Sequence, residues 1–186
     1  MLSLFFKYWG RLPLPLLHFL GRVLGRVLFY FSPKAKHLAA ENIQQSKLYS
    51  GAINEAVYQN FINLGELILE TPYIWQKDKK TINNIIHSST GWDAVEDAVA
   101  TQKGVIFLTP HMGCFEITFH YCALHFPVSA LYRPPKMKWL LPFIIKGRVS
   151  SSLKLAEANA SGVRTLVKAL KKGESIGILP DQVPNA

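Results

Sequence analysis

In the stretch Leu108-Thr109-Pro110-His111-Met112-Gly113-Cys114-Phe115-Glu116, a titratable base and a carboxylate stand five positions apart. They follow an apolar run, Val105-Ile106-Phe107-Leu108. A neutral imidazole held by a carboxylate is a general base for a hydroxyl nucleophile. On one regular helix, residues five apart point about 140° away from each other. The pair can therefore cooperate only if His111 lies in a turn and the chain bends near Gly113. Pro110 and Gly113 are residue types that interrupt regular structure. A helix starting here also turns its first N–H groups toward the strand tip, where they can stabilise developing negative charge. The competing reading is a capping histidine followed by a glutamate on a solvent face.

The elements around this stretch decide what it can do. Val105–Thr109, Val128–Tyr132, Leu153–Ala156 and Ser175–Leu179 are predicted as strands. Between them, residues 114–125, 137–146 (despite Pro142) and 161–172 are predicted as helices, and Trp92 opens an earlier amphipathic one closed by Gly104. Alternation of this kind predicts an α/β fold with a largely parallel sheet flanked by helices. Residues 35–76 are predicted to be mostly helical, with Pro72 ending the helix, and Ile82–Ser88 to be a short strand. His111 then follows the first strand of the alternation, Arg133 the second, and Asp181 and Gln182 the last. In open α/β sheets, ligands bind at the carboxyl ends of the strands. Parallel strands would gather these residues on one rim.

Rival chemistries fit less well. His111, Cys114, Cys122 and His125 share a stripe on a single helix, but Cys114 and Cys122 would lie about 12 Å apart along its axis. That is too far for one zinc ion, whose ligand bonds are near 2 Å, so no metal is expected. A nucleophilic Cys114 would need a thiol acidified by a helix N-terminus; a small buried residue is the simpler reading. The cysteines are read as thiols of an intracellular face, and His120 and His125 as structural or solvent-facing. Lys136, Lys138, Lys146 and Arg148, interleaved with Trp139 and Phe143, form a basic stretch. The aliphatics between them (Leu140, Leu141, Ile144, Ile145) suit acyl chains or a membrane better than bases, so no nucleic-acid partner is expected.

The chain has 186 residues, of which 49% are hydrophobic and only 18% charged, with a formal charge of +9. A basic, apolar protein of this kind suits an anionic membrane surface. Leu12 to Phe31 is long enough to cross a bilayer, but Arg22 and Arg26 interrupt its middle on one helix face. A basic stripe on an apolar helix predicts an interfacial, membrane-associated N-terminal helix, or one packed on a partner. No small-residue cleavage site follows the apolar run, which argues against a cleaved signal peptide.

Taken together, Gly104 through Glu116 resembles the His-x4-Asp/Glu block of glycerolipid-type acyltransferases, and more closely that of the lipid A late acyltransferases, the lauroyl and myristoyl transferases of Gram-negative bacteria. The resemblance runs over almost the whole chain. It includes the N-terminal anchor, Glu41-Asn42, Gly65-Glu66 with Glu70, Trp92 and its helix, Tyr132-Arg133-Pro134, Arg148 and Asp181-Gln182. It implies that His111 deprotonates a hydroxyl on a lipid A precursor while Glu116 holds and polarises His111. The alkoxide then attacks the thioester of an acyl carrier protein. By the same resemblance, Arg133 and Arg148 are assigned to phosphate or oxyanion contact, and Asp181 and Gln182 to the substrate rim. No metal or organic cofactor is implied.

The implied location is the inner membrane, with the catalytic domain on its cytoplasmic side. The expected organisation is a membrane anchor, residues 1–32, and an acyltransferase domain, residues 33–186, lacking its C-terminal part. Met112, where the family more often has an aromatic residue, and Cys114-Phe115, where it has Asn-Trp, stand beside the pair and leave the acyl length open. The alternatives are an inactive truncated fragment and a non-catalytic lipid-binding membrane protein.

Overall fold

The computed structural model describes residues 8–150 and 152–181. The chain divides into two compact units, Met1–Tyr73 and Ile74–Ala186.

The first unit is helical. Helix α1 (Leu14–Phe31) starts behind Pro13, with a further proline in its first turn, where a missing N–H costs nothing. Pro33 opens α2 (Pro33–Ser46), which ends where Lys47 takes a left-handed conformation. Helix α3 (Ile53–Ile74) runs past Pro72 to Ile74. Pro72 therefore lies inside the last turn and does not end the helix, because the turn continues for only two residues beyond it.

Helices α1 and α3 run antiparallel, in contact through backbone. A Cβ on Gly21 would sit 2.6 Å from Glu66 Cα, and one on Gly65 would collide with the Gly21 carbonyl oxygen. The same α1 face carries the polar residues, each matched by α3. His18 Nε2 lies 2.9 Å from Glu70, Arg22 Nε donates to Glu66 at 2.6 Å, and Arg26 Nε donates to the Tyr58 hydroxyl at 3.1 Å. Phe29 packs edge-on against Tyr58 and Phe61. The opposite face of α1, with Leu16, Phe19, Leu20, Val23, Val27, Tyr30 and Phe31, is exposed. The N-terminal apolar helix is thus present, and its arginines face a partner helix.

The second unit is α/β, as the alternation predicts. Asp78 accepts from the Thr81 N–H at 2.8 Å and caps α4 (Lys79–Ile85). Most of the strand expected at Ile82–Ser88 is therefore helix, because this cap and the burial of Ile82 favour the helical turn. Then come α5 (Trp92–Ala100), β1 (Val105–Leu108), α6 (Phe115–His125), β2 (Val128–Tyr132), a 3-10 turn (Lys138–Leu140), α7 (Leu141–Arg148), β3 (Leu153–Glu157), α8 (Ala160–Lys171) and β4 (Ser175–Ile178).

The four strands form one sheet in the order β1-β4-β2-β3, and every pairing is parallel. Phe119, Cys122 and Ala123 of α6 pack on Val128, Ala130 and Leu153. Leu166 and Ala169 of α8 pack with Ala156 and Ile176. Alternate residues along the strands thus feed two helix layers, one on each face. Gly177 is required where it stands, since a Cβ there would run into the Phe119 ring.

Candidate active site

The register of β1 and β4 brings His111 and Asp181 together. Leu108 pairs with Ile178, and the ladder extends one more bond, from the Thr109 N–H to the Ile178 carbonyl at 3.1 Å. Each strand then meets a proline, Pro110 or Pro180, and three residues beyond the last pair stand His111 and Asp181. The Asp181 carboxylate clamps His111 twice. One oxygen accepts from the His111 backbone N–H at 2.8 Å, and the other lies 2.8 Å from ring Nδ1. With Nδ1–H donating to Asp181, a neutral ring keeps Nε2 as an acceptor. The hydrogen bond with the His111 ring, and then that from its backbone N–H, hold the Asp181 carboxyl below its ordinary value. The Phe115 ring stands edge-on to the imidazole at 4.8 Å.

After His111 the chain bends at Gly113, in a left-handed conformation with open space where a Cβ would lie. The bend turns the chain into α6, and Glu116 falls on the buried face of its first turn. There Glu116 accepts from Arg148 at both oxygens, the Nε bond being 2.9 Å, and from Trp75 Nε1 at 2.8 Å. Its side chain is 4% exposed. The expected contact of Glu116 with His111 is not formed, and the carboxylate on the imidazole belongs to Asp181. The bend separates the pair as the helical angle anticipates: His111 stays at the sheet edge while Glu116 points into the helix layer.

Arg148 closes α7, where the helix dipole favours a cation. Gly147 beside it lets the Trp75 ring approach, and a Cβ there would collide with it. The Arg148 guanidinium lies 5.7 Å from the centre of the Trp75 ring. Trp75 joins the site although the sequence allows it only as a core or lipid-near aromatic: it follows a long helix and carries no motif.

His111, Glu116, Arg133 and Arg148 line one cavity of about 580 Å³, along with Phe115, Phe119 and His120. Its aliphatic wall comes from residues such as Leu131, Leu153, Leu155 and Leu179. Arg133, just past β2, has no ion-pair partner among the described residues, so its charge is available to a ligand. His120 Nε2 is buried and has no hydrogen-bond partner among the described residues. Burial pushes this imidazole below its ordinary value, against the pull of nearby Glu116 and aided by Arg148. Gln182 lies outside the described residues. Among those residues, no three His, Cys, Asp or Glu side chains gather as metal ligands. Both cysteines are thiols, and burial raises that of Cys122 to about 11.

A base with one nitrogen anchored, a guanidinium with no ion-pair partner among the described residues and an apolar wall can deprotonate a hydroxyl, receive negative charge and hold an aliphatic chain. Comparison with known proteins points the same way. The model of the family described as bacterial lipid A biosynthesis acyltransferase matches residues 2–186. The chain is 28% identical over 179 residues to the lipid A biosynthesis palmitoleoyltransferase of Escherichia coli (strain K12), covering 94% of this chain and 56% of that protein. It is 24% identical over 176 residues to the lipid A biosynthesis lauroyltransferase of the same organism, covering 92% of this chain and 56% of that protein. The chain thus spans a little over half the length of these relatives.

Proposed function

Because the chain belongs to the bacterial lipid A biosynthesis acyltransferase family, we propose that the cavity of its α/β unit transfers a fatty acyl chain from an acyl carrier protein thioester to a hydroxyl of a lipid A precursor. The observation that carries this reading is the clamp of Asp181 on His111 at the edge of a cavity with an aliphatic wall.

The step proceeds as follows. His111 Nε2 takes the proton of the acceptor hydroxyl as its oxygen attacks the thioester carbonyl. Negative charge collects on the carbonyl oxygen and is met by Arg133. Collapse breaks the carbon–sulfur bond, and the imidazolium returns its proton to the departing carrier thiolate. Asp181 keeps the ring oriented and stabilises the imidazolium between the two transfers. Glu116 enters through Arg148: it holds that guanidinium at the cavity wall and remains essential without touching the base. Gln182, next to Asp181 in the chain, belongs to the same substrate rim. A thioester is already activated, so a base and an oxyanion donor suffice, and no cofactor is invoked.

The proposed setting is the inner membrane, with the α/β unit on the cytoplasmic side where acyl carrier protein is available. Residues 1–32 serve as the anchor and 33–186 belong to the catalytic part. Helix α1 has apolar residues on its exposed face and its arginines turned to α3, which suits a helix lying in the interface plane. The basic surface suits both an anionic glycolipid and an acidic carrier.

The test is carrier-thiol release and acylated product formation by the full-length protein with acyl carrier protein thioester and a lipid A precursor. His111→Ala and Asp181→Asn should each lower turnover by roughly 10²- to 10⁴-fold, the usual worth of a positioned base. Wild-type turnover in either variant would refute the assignment. Glycolipid binding without thiol release by the wild type would mark a lipid-binding protein.

A further inference from the structure

The chain between Arg133 and Arg148 joins two arginines of the cavity wall, and its outer surface is poorly suited to water. Met137 and Trp139 are each more than half exposed, and Ile145 and Val149 are exposed as well. On α7 and its cap, Pro142, Ile145, Lys146 and Val149 are all exposed, at helical spacings of three and four residues. The stripe is therefore one helix face, apolar but for a single lysine. The other face is committed inward, with Gly147 against Trp75 and Arg148 on Glu116.

Lys136, Lys138 and Lys146 are exposed among these apolar groups, and from residue 117 to residue 156 the sequence has no Asp or Glu. A nucleic acid would satisfy the lysines but leave Met137, Trp139, Ile145 and Val149 uncovered, and an acidic protein would need an apolar patch matched to them beside its carboxylates. An anionic bilayer answers both at once, with headgroups for the lysines and the upper acyl region for the tryptophan and aliphatics.

We propose that Lys136–Val149 is a second membrane-contact surface, which inserts its apolar side chains into the upper acyl region of an anionic bilayer, with its lysines among the headgroups. It lies in the α/β unit, separate in the chain from α1, and it places the cavity wall next to the lipid. The inference rests on the membrane setting proposed above but not on catalysis, so its test reads contact without turnover.

The full chain carrying Ile145→Cys, with Cys114→Ser and Cys122→Ala, is labelled with an environment-sensitive dye and mixed with two kinds of vesicle. One is purely phosphatidylcholine; the other holds a substantial share of phosphatidylglycerol. Both carry acyl-brominated lipid as a quencher. The dye should be quenched at least about twofold more strongly on the anionic vesicles. Lys138→Glu with Lys146→Glu, both exposed positions, should erase that difference. A label at Val149→Cys repeats the reading should the first variant misfold.

A chain that floats with both vesicle types while the dye stays as unquenched as in water overturns this inference and leaves the α1 anchor standing. A chain that floats with neither overturns both. A dye shielded by acyl carrier protein and not by vesicles makes this face a protein-docking surface and overturns the inference.

Discussion

Replacing Arg148 with methionine should destabilise the α/β unit far more than removing a surface ion pair would. Glu116 is 4% exposed at its side chain and accepts three hydrogen bonds, two from Arg148 and one from Trp75. Without the guanidinium, a buried carboxylate keeps one neutral donor. Breaking a buried pair from one side costs about 3–5 kcal/mol, against about 0–1 kcal/mol for an exposed pair. Arg148 is itself 25% exposed, which moves the expectation toward about 3 kcal/mol. Pairing Arg148→Met with Glu116→Gln removes the orphaned charge, so the double variant should recover about 2 kcal/mol of that loss. The assay is urea unfolding of the four proteins of the cycle in one detergent, followed by tryptophan fluorescence, to which Trp75 contributes at this site. A single-variant loss below about 1 kcal/mol, or strict additivity in the double variant, would show that Glu116 does not depend on Arg148.

Three further outcomes are expected. At pH 8, Cys122, raised to about 11, holds roughly a hundredfold less thiolate than at its ordinary value of 9.0; mass spectrometry should find iodoacetamide on Cys114 first and on Cys122 only after unfolding. His120 binds a proton less readily folded than unfolded, so stability is kept above its ordinary value of 6.5 and lost as the pH falls below it, with a slope of up to about 1.4 kcal/mol per pH unit. His120→Leu should flatten the difference between pH 7 and pH 5 relative to wild type, and an unchanged slope would exclude His120 as its source. Gly65→Ala drives a methyl into the Gly21 carbonyl and should cost the helical unit about 1–3 kcal/mol in thermal unfolding, because backbone atoms on a packed helix cannot yield.

The parallel sheet was legible because apolar runs alternate with amphipathic helices, and helix α8 was placed to within a residue by its periodicity. The Ile82–Ser88 segment was not, because a short apolar run is ambiguous by period and a single aspartate settled it. Arg22 and Arg26 could be put on one helix face from their spacing, but the helix they face lies over thirty residues away in sequence. Tertiary partners of that kind leave no local periodicity. Trp75 could not be placed at the site for the same reason: its role depends on Glu116, 41 positions later.

The assignment of carboxylates turns on strand order. Along the chain, Glu116 is the nearest acid to His111, and a reading by proximity pairs them. The sheet pairs β1 with β4 and not with β2, so the strand that ends beside His111 is the last of the four. Two segments, Leu-Thr-Pro-His and Ile-Leu-Pro-Asp, then leave the same edge in register and present a base and an acid side by side. That likeness was open to view in the sequence, but only the crossover connection gives it meaning. Glu116, released from the imidazole, fixes a cation at the cavity wall instead, so the cavity has separate acids for its base and for a guanidinium.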